Sequence, residues 1–300
     1  FPQSVAVGST FNLDLAYQMT KAIATELRSQ GVIQTLSPGL DVVRDLRWGR
    51  VEESFGEDPW LVGQMGIAQV KGYIDGGISP MLKPFGPGGA PLGGLNLASV
   101  ESGERDIRNI HIKPYEMAVR NTEVKAVMTS YNSWNGIPNS ASSYLLTNIL
   151  RNEWGFKGYV VSDSEAVEFL HTKHRITPTE EEMAAQVVNA GLNIRTNFTP
   201  PQDFILPLRR AIDEGKVSLH TLNQRVSEIL RVKFMMGLFD NPYPGDDRRP
   251  ETVVHNDAHK AVSMKAALES IVLLKNENQM LPLSKNFKKI AVIGPNGEEV

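Results

Sequence analysis

The sequence predicts an α/β fold: a TIM-type (β/α)8 barrel that lacks its first strand or strands, followed by the start of an α/β sandwich domain. Apolar, strand-like runs alternate with amphipathic helical stretches over about 240 residues, and this order produces a parallel sheet that closes into a barrel at such a size. Several runs are continuously apolar, as strands buried on both faces are. Several also end on polar residues, and the chemistry of such sheets collects at the carboxyl ends of the strands.

The helices are predicted from apolar side chains that recur at helical spacing between start and stop signals. The first, residues 14–29, has a stripe of apolar side chains and a stop at Gly31. Thr177-Pro178-Thr179-Glu180 indicates a capping box with Pro at the first helical position, which opens a helix that runs to about Ala190. The other predicted helices cover residues 60–74, 104–120 with a kink or break at Pro114, 143–153, 203–214 and 219–236.

Short runs rich in β-branched and apolar residues predict the strands. These runs cover residues 32–36, 81–83, 124–130, 159–162 and 192–195. Each lies between two helical stretches or next to one, which is the arrangement of repeated βα units. The predicted sheet is therefore parallel.

A Pro-rich, charged run at residues 241–250 has no periodicity and indicates a linker. The expected units are a barrel catalytic domain, incomplete at its N-terminus (1–240), the linker (241–254) and the start of a C-terminal α/β sandwich domain (255–300). The last unit opens with a helix at 257–269 and ends on a strand at 288–293 that runs into a Gly/Pro turn. We expect the chain to be an internal piece of a longer protein, since it also begins without Met or a signal-peptide pattern.

Composition excludes several classes of function. The net charge of -3 offers no basic surface for nucleic acid, and no segment has the about 20 apolar residues of a membrane span. The absence of Cys excludes disulfides and thiolate metal sites. His171 and His174 have no carboxylate pair or HExxH motif beside them, and no phosphate-binding loop or GxSxG motif occurs. We therefore expect no metal and no cofactor.

Asp163 is the leading candidate for a catalytic residue. It follows the apolar run 159–162, so it lies at the carboxyl end of a predicted buried strand. The structural alternative is an Asp that caps the next helix. Other strand ends favour the catalytic interpretation, because they also carry polar groups.

Three further side chains are expected to face the mouth of the barrel, the opening at the carboxyl ends of its strands, together with Asp163. They are Arg50, Lys83 and Tyr131. Arg50 lies in a dense charged segment after the first strand, and we interpret most residues of that segment as an ion-pair network that holds a loop. Lys83 ends a predicted strand, and Tyr131 follows another. A carboxylate among cationic and hydroxyl groups stays ionised, which suits a nucleophile better than a proton donor. Retaining glycosidases need such a nucleophile and a second, protonated carboxyl about 5–5.5 Å away.

At these residues the sequence resembles glycoside hydrolase family 3, the β-glucosidase and β-xylosidase family. The segments that carry the resemblance are Arg44-Asp45-Leu46-Arg47-Trp48-Gly49-Arg50, Gly56-Glu57-Asp58-Pro59, Gly93-Gly94-Leu95-Asn96, Ser130-Tyr131-Asn132-Ser133-Trp134-Asn135-Gly136, Gly155-Phe156-Lys157-Gly158-Tyr159-Val160-Val161-Ser162-Asp163 and Leu273-Leu274-Lys275-Asn276. The resemblance implies that Asp163 is the nucleophile and that Arg50, Lys83 and Tyr131 surround the bound sugar. It also implies an acid/base Glu beyond Val300 and a sugar-binding Asp before Phe1.

The sequence departs from the family pattern at three positions. Pro84 and Gly88 stand where the family usually has His, and we expect the loss of the first His to weaken the sugar subsite. Ser164 stands where many β-glucosidases have Trp, and a small residue there is more similar to β-xylosidases.

The resemblance predicts an exo-acting retaining β-glycosidase that releases terminal non-reducing β-D-glucose through a glycosyl-enzyme on Asp163. A β-xylosidase is the alternative within the family, and a non-catalytic sugar-binding remnant is the alternative of another class. The expected partner is an oligosaccharide or glycoside, with no nucleic acid and no membrane. A homodimer is the candidate assembly, and a bacterial periplasmic or secreted location is favoured over the cytoplasm.

Overall fold

A computed structural model of the chain describes residues 1–242, 250–294 and 297. The helices are α1 (Ser4–Ser9), α2 (Leu13–Ser29), α3 (Pro59–Asp75), α4 (Glu104–Asp106), α5 (Lys113–Asn121), α6 (Phe169–Thr172), α7 (Glu180–Ala190), α8 (Gln202–Asp213), α9 (Leu219–Met235), α10 (Pro250–Val253) and α11 (Asp257–Glu269). Two π-helical segments, Ile107–His111 and Tyr144–Glu153, add to them. The strands are β1 (Met81–Phe85), β2 (Ala126–Thr129), β3 (Ser133–Trp134), β4 (Ile137–Pro138) and β5 (Tyr159–Ser162).

The central sheet is parallel and has the order β1-β2-β5, with Met81 beside Ala126 and Ala126 beside Tyr159. Isolated parallel bridges extend it on both sides, from Gln34 to Ser79 and from Val161 to Ile194. The two outer strands predicted from the sequence are therefore present only as bridges. On one side Pro38 interrupts the ladder, because proline has no N–H to donate. The α/β class with a parallel sheet is confirmed.

Both faces of the sheet are buried, as the continuous apolar runs predicted. Leu82, Val127 and Val160 face the main core, which most of the helices cover. The alternate side chains of the same strands face a second cluster, to which α9 contributes Val232. The members of that cluster on the strands are Met81, Ala126, Met128, Tyr159 and Val161. Because the three strands run parallel, their carboxyl ends lie at one edge of the sheet, together with the polar residues found there.

Most helix boundaries follow their sequence signals. Asn12 caps α2 by accepting a hydrogen bond from the Leu15 N–H at 3.0 Å, and Asp58 caps α3, which begins at Pro59. The predicted 104–120 helix is interrupted before Pro114, as expected. A correction concerns α7: its N-cap is Thr179, whose side chain accepts from the Glu182 N–H, and the start predicted at Pro178 is wrong. The cause is a second Thr-x-x-Glu match, two residues further along the chain.

The segment after α11 differs from the prediction. Helix α11 packs against α2, and Asn12 donates to Glu269 at 2.8 Å. Residues 271–294 form no strand, and Ile290 and Ile293 are 73% and 92% exposed. The predicted 288–293 strand is wrong here, because no described segment offers it a hydrogen-bonded neighbour. Residues 243–249 of the predicted linker lie outside the described residues, and its residues 250–253 form α10.

Candidate active site

The candidate residues lie where the parallel strands reach their carboxyl ends. Asp163 directly follows β5, and Tyr131 follows β2 by two residues. Lys83 is not at a strand end as predicted, because β1 continues to Phe85, whose carbonyl accepts from the Ser130 N–H at 2.9 Å. The carbonyl of Lys83 accepts from the Leu40 N–H at 2.8 Å, so the segment that precedes the Arg50 loop runs beside β1.

Tyr131 and Asp163 are in direct contact. The hydroxyl of Tyr131 donates a hydrogen bond to Asp163 Oδ1 at 2.9 Å, and the Ser164 N–H donates to the same oxygen at 2.8 Å. Burial and the neighbouring Asp163 charge raise the pKa of Tyr131 well above its usual value, so the hydroxyl keeps its proton and remains a donor. Helix α6 begins at Phe169 and its N-cap residue is Glu168, so the helix-capping alternative for the Asp163 side chain is wrong.

Arg50 and Lys83 are linked through Glu53. Arg50 donates two hydrogen bonds of 2.8 Å to the Glu53 carboxylate, and Lys83 Nζ lies 3.7 Å from Glu53 Oε2. The Arg50 guanidinium also lies 5.8 Å from the centre of the Trp48 ring. The two hydrogen bonds with Glu53 raise the pKa of Arg50 further above its ordinary value, and the charges of Asp41 and Asp163 make smaller contributions. The negative charge of Asp163 therefore favours the charged form of Arg50.

Asp41 is a buried carboxyl beside this cluster, and the sequence interpretation gave it no role. The residue is 6% exposed, and the surrounding charges are those of Arg50, Glu53 and Lys83. Burial raises the pKa of Asp41 to about 7, although Arg50 and Lys83 oppose the rise. No sequence signal pointed to it, because Ser37-Pro38-Gly39-Leu40 precedes it and this segment is not an apolar run.

Two of the three departures from the family pattern, Pro84 in β1 and Gly88 in the loop after it, have defined contacts. The carbonyl of Pro84 accepts a hydrogen bond of 2.7 Å from the buried Tyr115 hydroxyl. Gly88 packs against Asp41, and a Cβ at Gly88 would lie 2.4 Å from Asp41 Oδ1. With Asp41 in this position, a His at residue 88 would not fit.

Around Asp163, the rest of the mouth is built from short contacts. His174 Nε2 lies 3.2 Å from the Tyr131 carbonyl, and the Tyr131 ring lies 5.8 Å from that of Phe169. Trp134 donates to the Ser102 carbonyl at 2.8 Å. Across the described ranges, no group of three His, Asp or Glu side chains is placed to hold a metal ion. In the same ranges, no helix has the length and apolar character needed to cross a membrane.

The fold and this edge of the sheet place the chain among α/β proteins whose functional groups gather at the carboxyl ends of parallel strands. Residues 1–232 match the family model described as "Glycosyl hydrolase family 3 N terminal domain". The chain belongs to glycosyl hydrolase family 3.

Relatives of known name are similar over nearly the whole chain. A β-xylosidase of Formosa agariphila is 35% identical over 100% of this chain and 43% of its own length. The periplasmic β-glucosidase of Salmonella typhimurium is 35% identical over 98% of this chain and 39% of its own length. The crystal structure of a β-glucosidase from Listeria innocua aligns with a TM-score of 0.90 and 33% identity, over 95% of this chain and 40% of that one. A mutant of that protein was solved in complex with laminaribiose.

Proposed function

We propose that this chain carries the nucleophile half of an exo-acting retaining β-glycosidase that releases terminal β-D-glucose. The observation that carries the proposal is the 2.9 Å hydrogen bond from Tyr131 to Asp163, whose charge also acts on Arg50. Since the chain spans 43% and 39% of its two named relatives, the activity belongs to a longer protein. Within that protein, the proposed units are an N-terminally incomplete (β/α)8 barrel over residues 1–240, a linker over 241–254 and the start of an α/β sandwich over 255–300.

In the proposed mechanism, Asp163 attacks the anomeric carbon as a carboxylate. The glycosidic bond breaks as the leaving-group oxygen takes a proton from a second carboxyl, and a glycosyl ester forms on Asp163. Water, deprotonated by that same second carboxyl, then attacks the anomeric carbon, the bond to Asp163 breaks, and the sugar is released with retained configuration while Asp163 returns to the carboxylate. Tyr131 holds the Asp163 oxygen in place, while Arg50 and Lys83 bind sugar hydroxyls. The proton donor is expected in the sandwich domain.

A β-xylosidase is the second candidate, favoured by the small Ser164 next to the nucleophile and by the F. agariphila relative. Pro84 and Gly88 favour a third candidate, a sugar-binding remnant without turnover. The proposed partner is a glycoside, and the proposed setting is a bacterial periplasm or secretion, with a homodimer as the assembly.

The test is intact mass after incubation of the chain with a 2-deoxy-2-fluoro-β-glucoside that has a dinitrophenolate leaving group, and then with the xylose analogue. These reagents form a stable glycosyl-enzyme without a proton donor, because the leaving group departs unprotonated. We expect an adduct on the peptide that contains Asp163 and no adduct with Asp163→Asn. Asp45→Asn is the matched control and should react as the unmodified chain does.

The outcomes separate the candidates. Faster labelling by the glucose reagent supports the glucosidase, and faster labelling by the xylose reagent supports the xylosidase. No adduct from a folded chain that still binds sugar supports the remnant. An adduct on another residue would overturn the assignment of Asp163.

A further inference from the structure

Asp41 points to the same edge of the sheet as Lys83. Gly39 bridges to Lys83 in parallel pairing, and Leu40 donates its N–H to the Lys83 carbonyl at 2.8 Å. Leu40 and Val42 are both buried in the main core, at 0% and 1% exposure. Since successive side chains of an extended segment alternate in direction, the Asp41 side chain points away from that core. Its charged neighbours Arg50, Glu53 and Lys83 are the polar groups of the candidate site.

The Asp41 carboxyl makes no side-chain hydrogen bond to any residue in the described part of the chain. Its backbone carbonyl accepts from Ser54 Oγ at 2.5 Å, but the carboxyl oxygens have no recorded donor. The donors around it bind elsewhere: Arg50 Nε and Nη2 to Glu53, and the Tyr115 hydroxyl to the Pro84 carbonyl. Buried carboxyls are normally hydrogen-bonded, so one left without a donor inside a site is an acceptor available to a ligand.

Gly88 keeps this acceptor free. It packs directly on the carboxyl, where any side chain at residue 88 would meet Asp41 Oδ1. A glycine supplies neither a competing donor nor a side chain that would displace the carboxyl. The loop after β1 thus covers Asp41 at Gly88 with backbone alone, and the charges that act on the carboxyl are those of Arg50, Glu53 and Lys83.

We propose that Asp41 is a further substrate-binding residue, whose carboxyl accepts a hydrogen bond from a hydroxyl of the sugar held by Arg50 and Lys83. The inference rests on the proposed function, since it takes the ligand to be a sugar. Carboxylates are effective acceptors for hydroxyl groups, and a buried one discriminates strongly between ligands that have the hydroxyl and ligands that lack it. The titratable and charged groups that face Asp41 are Arg50, Glu53, Lys83 and Tyr115.

The test is a binding cycle that needs no turnover. Calorimetry measures the Kd of methyl β-D-glucoside, and of analogues that each lack one hydroxyl, for the unmodified chain and for Asp41→Ala. We expect Asp41→Ala to raise the Kd of the parent glucoside by about tenfold or more. One analogue should bind the unmodified chain correspondingly weakly, yet lose nothing further in Asp41→Ala, because both changes remove the same hydrogen bond. Asp45→Ala, in the same segment but paired with Arg47, is the control and should leave every Kd unchanged.

A second measurement uses the ionisation of Asp41. Because burial raises its pKa to about 7, the affinity of the unmodified chain should increase as the pH rises from 6 to 8, and Asp41→Asn should abolish that increase. Gly88→Ala, which pushes on the carboxyl, should weaken binding as Asp41→Ala does.

A uniform loss for every analogue in Asp41→Ala would mean a structural role and would overturn the inference, as would an unchanged Kd. If Asp163 is labelled and Asp41→Ala leaves the Kd unchanged, only the role of Asp41 is refuted. If the chain binds the sugar but Asp163 is not labelled, only the role of Asp163 as nucleophile is refuted. Absence of both refutes both.

Discussion

At the scale of single residues, the site depends on which groups the carboxylates contact. Asp163 has two donors, Tyr131 and the Ser164 N–H, whereas the described part of the chain offers no donor to the Asp41 carboxyl. The sequence distinguishes a strand-end acid from a helix-face acid, but the hydrogen-bond partners of each acid come from distant parts of the chain. For this reason the sequence could predict Asp163 as a site residue. It could not show whether Arg50 only holds its loop in place or also takes part in the site, because the contact of Arg50 with Glu53 is not visible in the sequence.

Tyr131→Phe tests the contact to the nucleophile. Removal of the hydroxyl leaves Asp163 with one donor, and hydrogen bonds to charged groups contribute about 1.5–3 kcal/mol. We expect labelling by the fluoroglucoside to slow by about tenfold to a hundredfold, with the fold retained. The measurement is the rate of adduct formation by mass spectrometry. The control is Tyr144→Phe, whose hydroxyl contacts Arg108 and Glu104 away from the mouth. Equal rates for Tyr131→Phe and the unmodified chain would contradict the prediction.

Asp41 also has a consequence for stability. Its pKa is about 7 in the folded protein and 3.8 is the ordinary value, so between these pH values the folded state binds more protons than the unfolded state. The free energy of unfolding then decreases as the pH rises through this window. We expect Asp41→Asn to remove that decrease and to be more stable than the unmodified chain at pH 8, by a few kcal/mol. Urea unfolding at pH 4.5 and pH 8 measures the difference. Lower stability of the variant at pH 8 would contradict the argument.

At the scale of elements, local sequence signals predicted the bounds of helices better than those of strands. Helix α11 was predicted at its observed bounds, because Asn256 caps it and the pattern is local. The outer strands at Gln34 and Ile194 were predicted as full strands, yet they form only bridges, since strand length depends on the partner. The same dependence explains the absence of the 288–293 strand, whose apolar pattern is correct for a strand that has a neighbour.

The N-terminus of α7 offers a test of the corrected cap. Thr179 accepts from the Glu182 N–H, while the hydroxyl of Thr177 is buried without a partner. We expect Thr179→Ala to lower the free energy of unfolding by about 1 kcal/mol. Thr177→Val, which keeps the shape and removes an unpaired hydroxyl, should leave the stability unchanged or raise it. Chemical unfolding of both variants decides: a larger loss for Thr177→Val would restore the predicted cap.

At the scale of the whole molecule, the chain divides into a well-packed part and an exposed part. Nearly all members of the main core and of the second cluster lie in residues up to α9, whereas the apolar side chains after α11 are exposed. Helix α11 belongs to the packed part, since Glu26 of α2 accepts from the His255 N–H at 2.9 Å and lies 2.7 Å from His259 Nδ1. Residues 271–293 include several large apolar side chains, and these pack in neither cluster.

This division predicts how two truncations differ. Removal of residues 275–300 deletes exposed apolar surface, so we expect the free energy of unfolding to stay unchanged and the binding of a hydrophobic dye to fall. Removal of residues 255–300 also deletes α11 and its contacts to α2, and should lower the stability. Urea unfolding and dye fluorescence on both truncations provide the measurement. If the shorter deletion destabilised the chain as much as the longer one, the exposed segment would have to pack in solution, and the packed part could not end at α11. Equal stability of the longer deletion and the full chain would instead remove α11 from the packed part, because the hydrogen bonds to Glu26 and Glu269 would then contribute nothing measurable.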